Sequence, residues 1–180
     1  MKPAKLGLTS PRAAEDLAEL GLEDEATLYT LAGAGDPDLA LNNLHRLAGA
    51  LGTEWPTLRT SLIDDSVFAT RLMALLGGST ALSDHLIANP EQWRTLQSEV
   101  PDPPEMFREM LRCVGVEGDT PGLHVAGEEG EDGAVAKQKL RTTYRNLMMR
   151  VEASDLAGTF AAVKGHGDGE PMGCLLYTSP

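Results

Sequence analysis

Four histidines are the first residues that could hold a metal or move a proton: His45, His85, His124 and His166. None has a second His or a Cys at i+2 to i+5, the spacing by which short zinc motifs close a site. His85 follows Asp84, and a His–carboxylate pair can orient an imidazole, but on a helix it reads more simply as a surface or partly buried histidine. The run His166-Gly167-Asp168-Gly169-Glu170 gathers possible ligands, yet glycine-flanked acids of this kind are ordinarily solvated. No metal ligand is therefore expected. Cys113 ends an apolar stripe, where a free cysteine serves as a small hydrophobe. Neither a G-x-S-x-G elbow nor a G-x-x-x-x-G-K-[ST] phosphate loop occurs.

Nucleotidyl transfer of the polymerase-β type places Gly-Ser at a strand–helix junction and Asp-x-Asp on a strand to hold Mg²⁺. Gly78-Ser79 followed by Asp84 imitates the start of that pattern, but Leu86 stands two positions after Asp84 and the intervening segment reads as helix. Ser79 is expected to be an N-cap instead. Lys137, Lys139, Arg141, Arg145 and Arg150 form a basic helix face, suited either to phosphate or, more simply, to solvent and nearby acids. No residue is expected to be catalytic or to bind a cofactor.

The elements that carry these residues are helices. Leu (27) and Ala (21) far outnumber Val (8) and Ile (2), and aromatics make up only 4%. Helices tolerate Leu and Ala at low cost, whereas sheets draw on β-branched and aromatic side chains. An all-α fold is expected: a bundle of about eight short helices plus one long C-terminal helix. The chain carries 27 acidic and 15 basic side chains, a net charge of −12, which argues against a nucleic-acid partner. No apolar run is long enough to cross a bilayer, and no secretory leader precedes the first helix, so a cytoplasmic protein is expected.

Punctuation divides the chain. Ser10-Pro11 is expected to open a first helix that stops at Gly21, and a short helix follows over 24–32. Asp36-Pro37 opens a third, ended by Gly52; Thr53 to Ile63 forms a weaker one. Asp65 or Ser66 caps a helix with Phe68, Leu72, Leu75 and Leu76 inward, stopped at Gly77-Gly78. Helices then open at Ser79, at Asn89-Pro90 (carrying Trp93 and Leu96) and at Pro103-Pro104, the last with Phe107, Met110, Leu111 and Val114 inward. Residues 1–114 form a helical domain in this reading. Residues 115–133, with six acids and no Lys or Arg, are expected to be a flexible acidic loop. A long basic helix over 134–163 follows, with Leu140, Tyr144, Leu147, Met148 and Val151 as its stripe and a break expected near Gly158. Residues 164–180 are expected to be a disordered tail. Its end, Cys174 to Ser179, resembles the in-frame translation of a transposase-based sequencing adapter and is set aside as an artefact, leaving a native chain that would be truncated before it.

Two segments carry a resemblance. The first is Leu75-Leu76-Gly77-Gly78-Ser79-Thr80-Ala81-Leu82-Ser83-Asp84-His85-Leu86-Ile87-Ala88-Asn89-Pro90-Glu91-Gln92-Trp93. The second runs from Lys139-Leu140-Arg141-Thr142-Thr143-Tyr144-Arg145 to Ala153-Ser154-Asp155-Leu156-Ala157-Gly158. Together they resemble the helical lead-in of the bifunctional glutamine synthetase adenylyltransferase/adenylyl-removing enzymes, best in their actinobacterial branch, over about residues 5–163.

The resemblance implies an enzyme with two nucleotidyltransferase domains. They transfer AMP from ATP to a tyrosine of glutamine synthetase and remove it by phosphorolysis, with Mg²⁺ and under a nitrogen-signalling regulatory protein. The family's Gly-Ser and Asp-x-Asp would lie beyond Val163, so no catalytic residue carries over. Apolar surface facing the absent sheet is expected at Phe160, Val163, Met148 and Met149. The chain itself is expected to be a non-catalytic fragment with no membrane or nucleic-acid partner. A free-standing acidic helical interaction module is the alternative.

Overall fold

The computed structural model describes residues 7–116 and 133–158. Most of the acidic loop, the tail, Phe160, Val163, His124 and His166 lie outside them. Every regular element among the described residues is a helix, and none is a strand. α1 (Ala13–Leu20), α2 (Glu25–Ala32), α3 (Pro37–Leu51), α4 (Trp55–Asp64), α5 (Ser66–Gly78), α6 (Thr80–Ala88) and α7 (Pro103–Arg112) follow one another through short connections, with 3₁₀ segments at Gly52–Glu54 and Pro90–Gln97, and α8 (Gly133–Leu156) opens the second described stretch. The all-α class and the long last helix are as expected. None of the described helices is long and apolar enough to cross a membrane.

Aspartate caps start four helices. Asp24, Asp36, Asp65 and Asp102 accept hydrogen bonds from the amides of Thr27 (2.8 Å), Leu39 (2.9 Å), Phe68 (2.9 Å) and Glu105 (2.8 Å). Each satisfies a first-turn donor that the helix itself leaves unpaired. Gly21 ends α1 at φ 68°, a left-handed conformation open to glycine at little cost, and Leu22 N–H returns to the Leu17 carbonyl at 3.0 Å.

The centre of the bundle is α5. Phe68, Ala69, Leu72, Met73, Leu75 and Leu76 are all buried, and the helix packs against α2, α3, α4, α6, α8 and the Pro90–Gln97 segment. A helix apolar nearly all round belongs inside, and the others form a shell about it. Phe68 meets Trp93 with ring centroids 5.5 Å apart and planes tilted by 46°, which ties the 3₁₀ segment to α5.

Several local expectations are corrected. α1 begins at Ala13, because Ser10 Oγ accepts from the Arg12 amide in a preceding turn and caps no helix. α5 continues through Gly77 and Gly78, since Ser79 N–H still bonds the Leu75 carbonyl at 3.0 Å. The segment after Asn89-Pro90 is 3₁₀ rather than α. Phe107 is 57% exposed, and no residue of α7 is fully buried. On α8 the inward face is Ala136, Leu147, Met149, Ala153 and Ser154, whereas Tyr144 and Met148 point outward. Met149, expected on an orphaned apolar face, is fully buried. α8 ends at Leu156, and Gly158 adopts φ 62°, where the drifting stripe indicated a break.

Candidate functional site

The two segments that carried the resemblance meet at the junction of α6, the 3₁₀ segment and α8. The Asn89 amide nitrogen donates to the His85 carbonyl at 2.9 Å, closing α6, and Pro90 turns the chain into the 3₁₀ segment that delivers Trp93 to the core. His85 is 7% exposed, with its ring Nε2 2.8 Å from Asn146 Oδ1 on α8. Asn146 Nδ2 donates in turn to Gln92 Oε1 at 3.0 Å. That second bond fixes which end of the amide faces the ring, so Nε2 donates and Nδ1 is left to accept from Asn89 Nδ2 at 3.4 Å. Gln92 Nε2 donates in turn to the Glu91 carboxylate at 3.2 Å. The arrangement ties α8 to α6 and to the 3₁₀ segment.

Asp84, which the sequence set beside His85, turns away from it. Its Oδ1 pairs with Arg46 Nη2 at 2.8 Å. Arg46 Nη1 donates to Asn43 Oδ1 at 3.0 Å, and buried Asn43 donates to the Leu76 carbonyl at 2.9 Å. α3, α5 and α6 are joined by this chain. Arg71, 8% exposed, donates to the carbonyls of Leu96 (3.3 Å) and Ser98 (3.1 Å), anchoring the end of the 3₁₀ segment. Asn43 and Arg71 escape a reading of the sequence, because a polar residue on an apolar helix gives no local sign of the distant carbonyl that satisfies it.

Gly78-Ser79, the imitation of a phosphate turn, is the junction of α5 and α6, where a Cβ on Gly78 would stand 2.7 Å from Leu156 Cδ1. A Cβ on Gly77 would stand 2.8 Å from the Asp36 carbonyl oxygen and 2.9 Å from Ala34 Cβ, so glycine is needed for α5 to cross the start of α3. Ser79 occupies the N-cap of α6 without a side-chain capping bond. Cys113 Sγ lies 3.0 Å from the Met110 carbonyl, half-buried against its own helix. The basic face of α8 divides in two. Arg150 points inward, donating to the Glu99 carbonyl at 2.7 Å and facing Glu109 at 3.5 Å, whereas Lys137, Arg141 and Arg145 are exposed.

Among the open grooves on the surface of the described residues, two stand out. One, of about 340 Å³, lies between α2, α5 and the end of α8, lined by Tyr29, Gly33, Ala34, Ala74 and Leu156. The other, of about 240 Å³, lies between α1 and α3, lined by Ser10, Asp16, Asp38, Asn42 and His45. At its edge Asp16, Glu19 and His45 bring one ligand atom each to within 4.8 Å of one another. Asp38 also accepts from the Thr9 hydroxyl (2.5 Å) and from the amides of Thr9 and Ser10. Those bonds, the Thr9 hydroxyl foremost, hold its carboxyl below the ordinary aspartate range against the opposing effect of burial.

No family model and no solved structure matches the chain. Known proteins do. It is 41% identical over 86% of its length to the bifunctional glutamine synthetase adenylyltransferase/adenylyl-removing enzyme of Corynebacterium efficiens, covering 17% of that protein. It is 37% identical over 95% of its length to the enzyme of the same name from Corynebacterium glutamicum, covering 19%. With the Nocardia farcinica enzyme the identity is 42% over 86%, covering 16%. The chain is thus a helical segment of the bifunctional glutamine synthetase adenylyltransferase/adenylyl-removing enzyme family, spanning 15–19% of the length of the relatives it matches.

Proposed function

We propose that this chain is the non-catalytic helical lead-in of an enzyme that adenylylates glutamine synthetase and reverses that modification. The observation that carries this reading is the alignment: most of the chain matches relatives of that name, yet accounts for less than a fifth of them. Residues 1–114 serve as the helical body. The long helix after the acidic loop leads towards a nucleotidyltransferase domain, and ATP and Mg²⁺ belong to that domain. Glutamine synthetase and a nitrogen-signalling regulatory protein are the partners of the whole enzyme, and its setting is the cytoplasm. Neither nucleic acid nor membrane is a partner.

The chemistry of the described side chains agrees with a positioning role. Transfer of a nucleotidyl group needs cations or metal held against developing negative oxygens. His85 is instead bonded to Asn146 on α8, Asp84 to Arg46 on α3, and Arg150 to the Glu99 carbonyl after the 3₁₀ segment. The His85 and Arg150 contacts hold α8 against the bundle, and the Asp84 pair holds α6 to α3.

The test uses the chain alone. Isothermal titration with ATP and MgCl₂, paired with a labelled-AMP transfer assay on glutamine synthetase, should show no saturable nucleotide binding and no transfer. Micromolar binding, or transfer above blank, would refute the non-catalytic assignment.

A further inference from the structure

We infer that Asp16, Glu19 and His45 form a binding site for a divalent transition cation of the zinc class, one that staples α1 to α3. Neither the relatives' names nor the proposed role assigns it. Asp16 and Glu19 stand at i and i+3 of α1, and so share the face that the helix turns to α3, where His45 waits. His45 Nε2 already lies 3.0 Å from Glu19 Oε2. The three ligand atoms are mutually within 4.8 Å. Around zinc, bonds of about 2.0–2.2 Å would set neighbouring ligand atoms roughly 3.3–3.6 Å apart. The remaining adjustment is small for side chains as free as these, Glu19 being 52% and His45 45% exposed.

The donor set selects the ion. One imidazole nitrogen with two carboxylate oxygens suits Zn²⁺, Co²⁺ or Ni²⁺, whereas Mg²⁺ and Ca²⁺ favour oxygen alone. Asp16 and His45 also line the adjoining groove, which leaves room for water. A competitor is present. Arg12 Nη2 stands 3.6 Å from Asp16, and Arg12 also faces Glu15 at 3.7 Å. Arg12 is 66% exposed, and an exposed ion pair this long is weak enough for a dication to displace. Local spacing could not reveal the site, because the imidazole comes from a different helix.

The consequence is linkage. α1 is eight residues long and has no side-chain cap, and a cation bridging it to α3 stabilises the fold in proportion to its occupancy. The test is isothermal titration of the metal-stripped 180-residue chain with ZnCl₂, alongside thermal unfolding with and without Zn²⁺. One saturable zinc site is expected, together with a raised Tm and no comparable response to MgCl₂. His45→Ala should abolish both effects, and Asp16→Asn or Glu19→Gln should weaken binding by an order of magnitude. A His124→Ala/His166→Ala double variant should bind as the parent does. Identical titrations for the parent and His45→Ala, or loss of binding only in the double variant, would overturn the site. The Glu19 and His45 side chains are exposed and that of Asp16 is half-buried, so an unchanged helical spectrum in the variants separates loss of metal from loss of fold.

Discussion

His85 and Asn146, 61 positions apart in the chain, meet through Nε2 and Oδ1 at 2.8 Å and so lock α6 to α8. Asn146 also holds Gln92, so one amide side chain joins α8 to two successive elements of the bundle. Removing it leaves the largely buried His85 ring without its acceptor. Asn146→Ala is expected to cost about 1–3 kcal/mol, the range for orphaning a buried polar group. Urea unfolding followed by far-UV circular dichroism checks this, and an unchanged midpoint would show that the bridge contributes nothing.

Two glycines inside helices should respond in opposite directions. Gly77→Ala sets a methyl against the Asp36 carbonyl and Ala34, neither of which can swing aside, so a loss of about 1–3 kcal/mol is expected. Gly49, within α3, has nothing within 4 Å of its would-be Cβ. Gly49→Ala should stabilise by roughly 0.5–1 kcal/mol through helix propensity alone. Matched thermal melts decide, and the same sign for both variants would contradict the packing described.

Neighbouring methionines on α8 supply another contrast. Met149 is fully buried and Met148 is 36% exposed. Met149→Ala should cost about 2–4 kcal/mol, and Met148→Ala no more than about 0.5 kcal/mol. Equal losses in chemical denaturation would mean that α8 is rotated from the orientation described.

Asp38 gives the segment before α1 a pH dependence. Its carboxylate is favoured in the folded state by Thr9 and Ser10, so its folded pKa lies below the unfolded one. The resulting stabilisation is present above the unfolded value, near pH 4, and is lost as pH falls through the folded one. Asp38→Asn should therefore flatten the stability profile on the acid side of about pH 4 while leaving its shape at pH 7 unchanged. An acid limb identical in the parent and the variant would count against the contact.

What the sequence revealed follows from the range of each interaction. Asp36-Pro37, Asp65 and Pro103 announced their helices because a cap and its amide lie within three residues, and Gly21 and Gly52 announced stops for the same reason. Gly77 misled, because its cause is the approach of α3's first turn rather than a chain reversal. The inward face of α8 was misjudged where Met148 and Met149 adjoin: both are apolar, and only packing against α5 and the 3₁₀ segment selects between them. The His85–Asn146 bridge and the Asp16, Glu19, His45 cluster depend on residues from separate helices, beyond the reach of any local pattern.

The central claim is that this chain positions catalytic machinery without supplying it, and a segment exchange in the Corynebacterium glutamicum relative tests that most directly. Residues 7–158 replace the aligned stretch of that enzyme, and labelled-AMP incorporation into glutamine synthetase is measured beside a deletion of the stretch. The exchange is expected to retain transfer and the deletion to lose it. A soluble, folded exchange protein with no transfer, or a deletion that transfers as well as the parent, would contradict the claim.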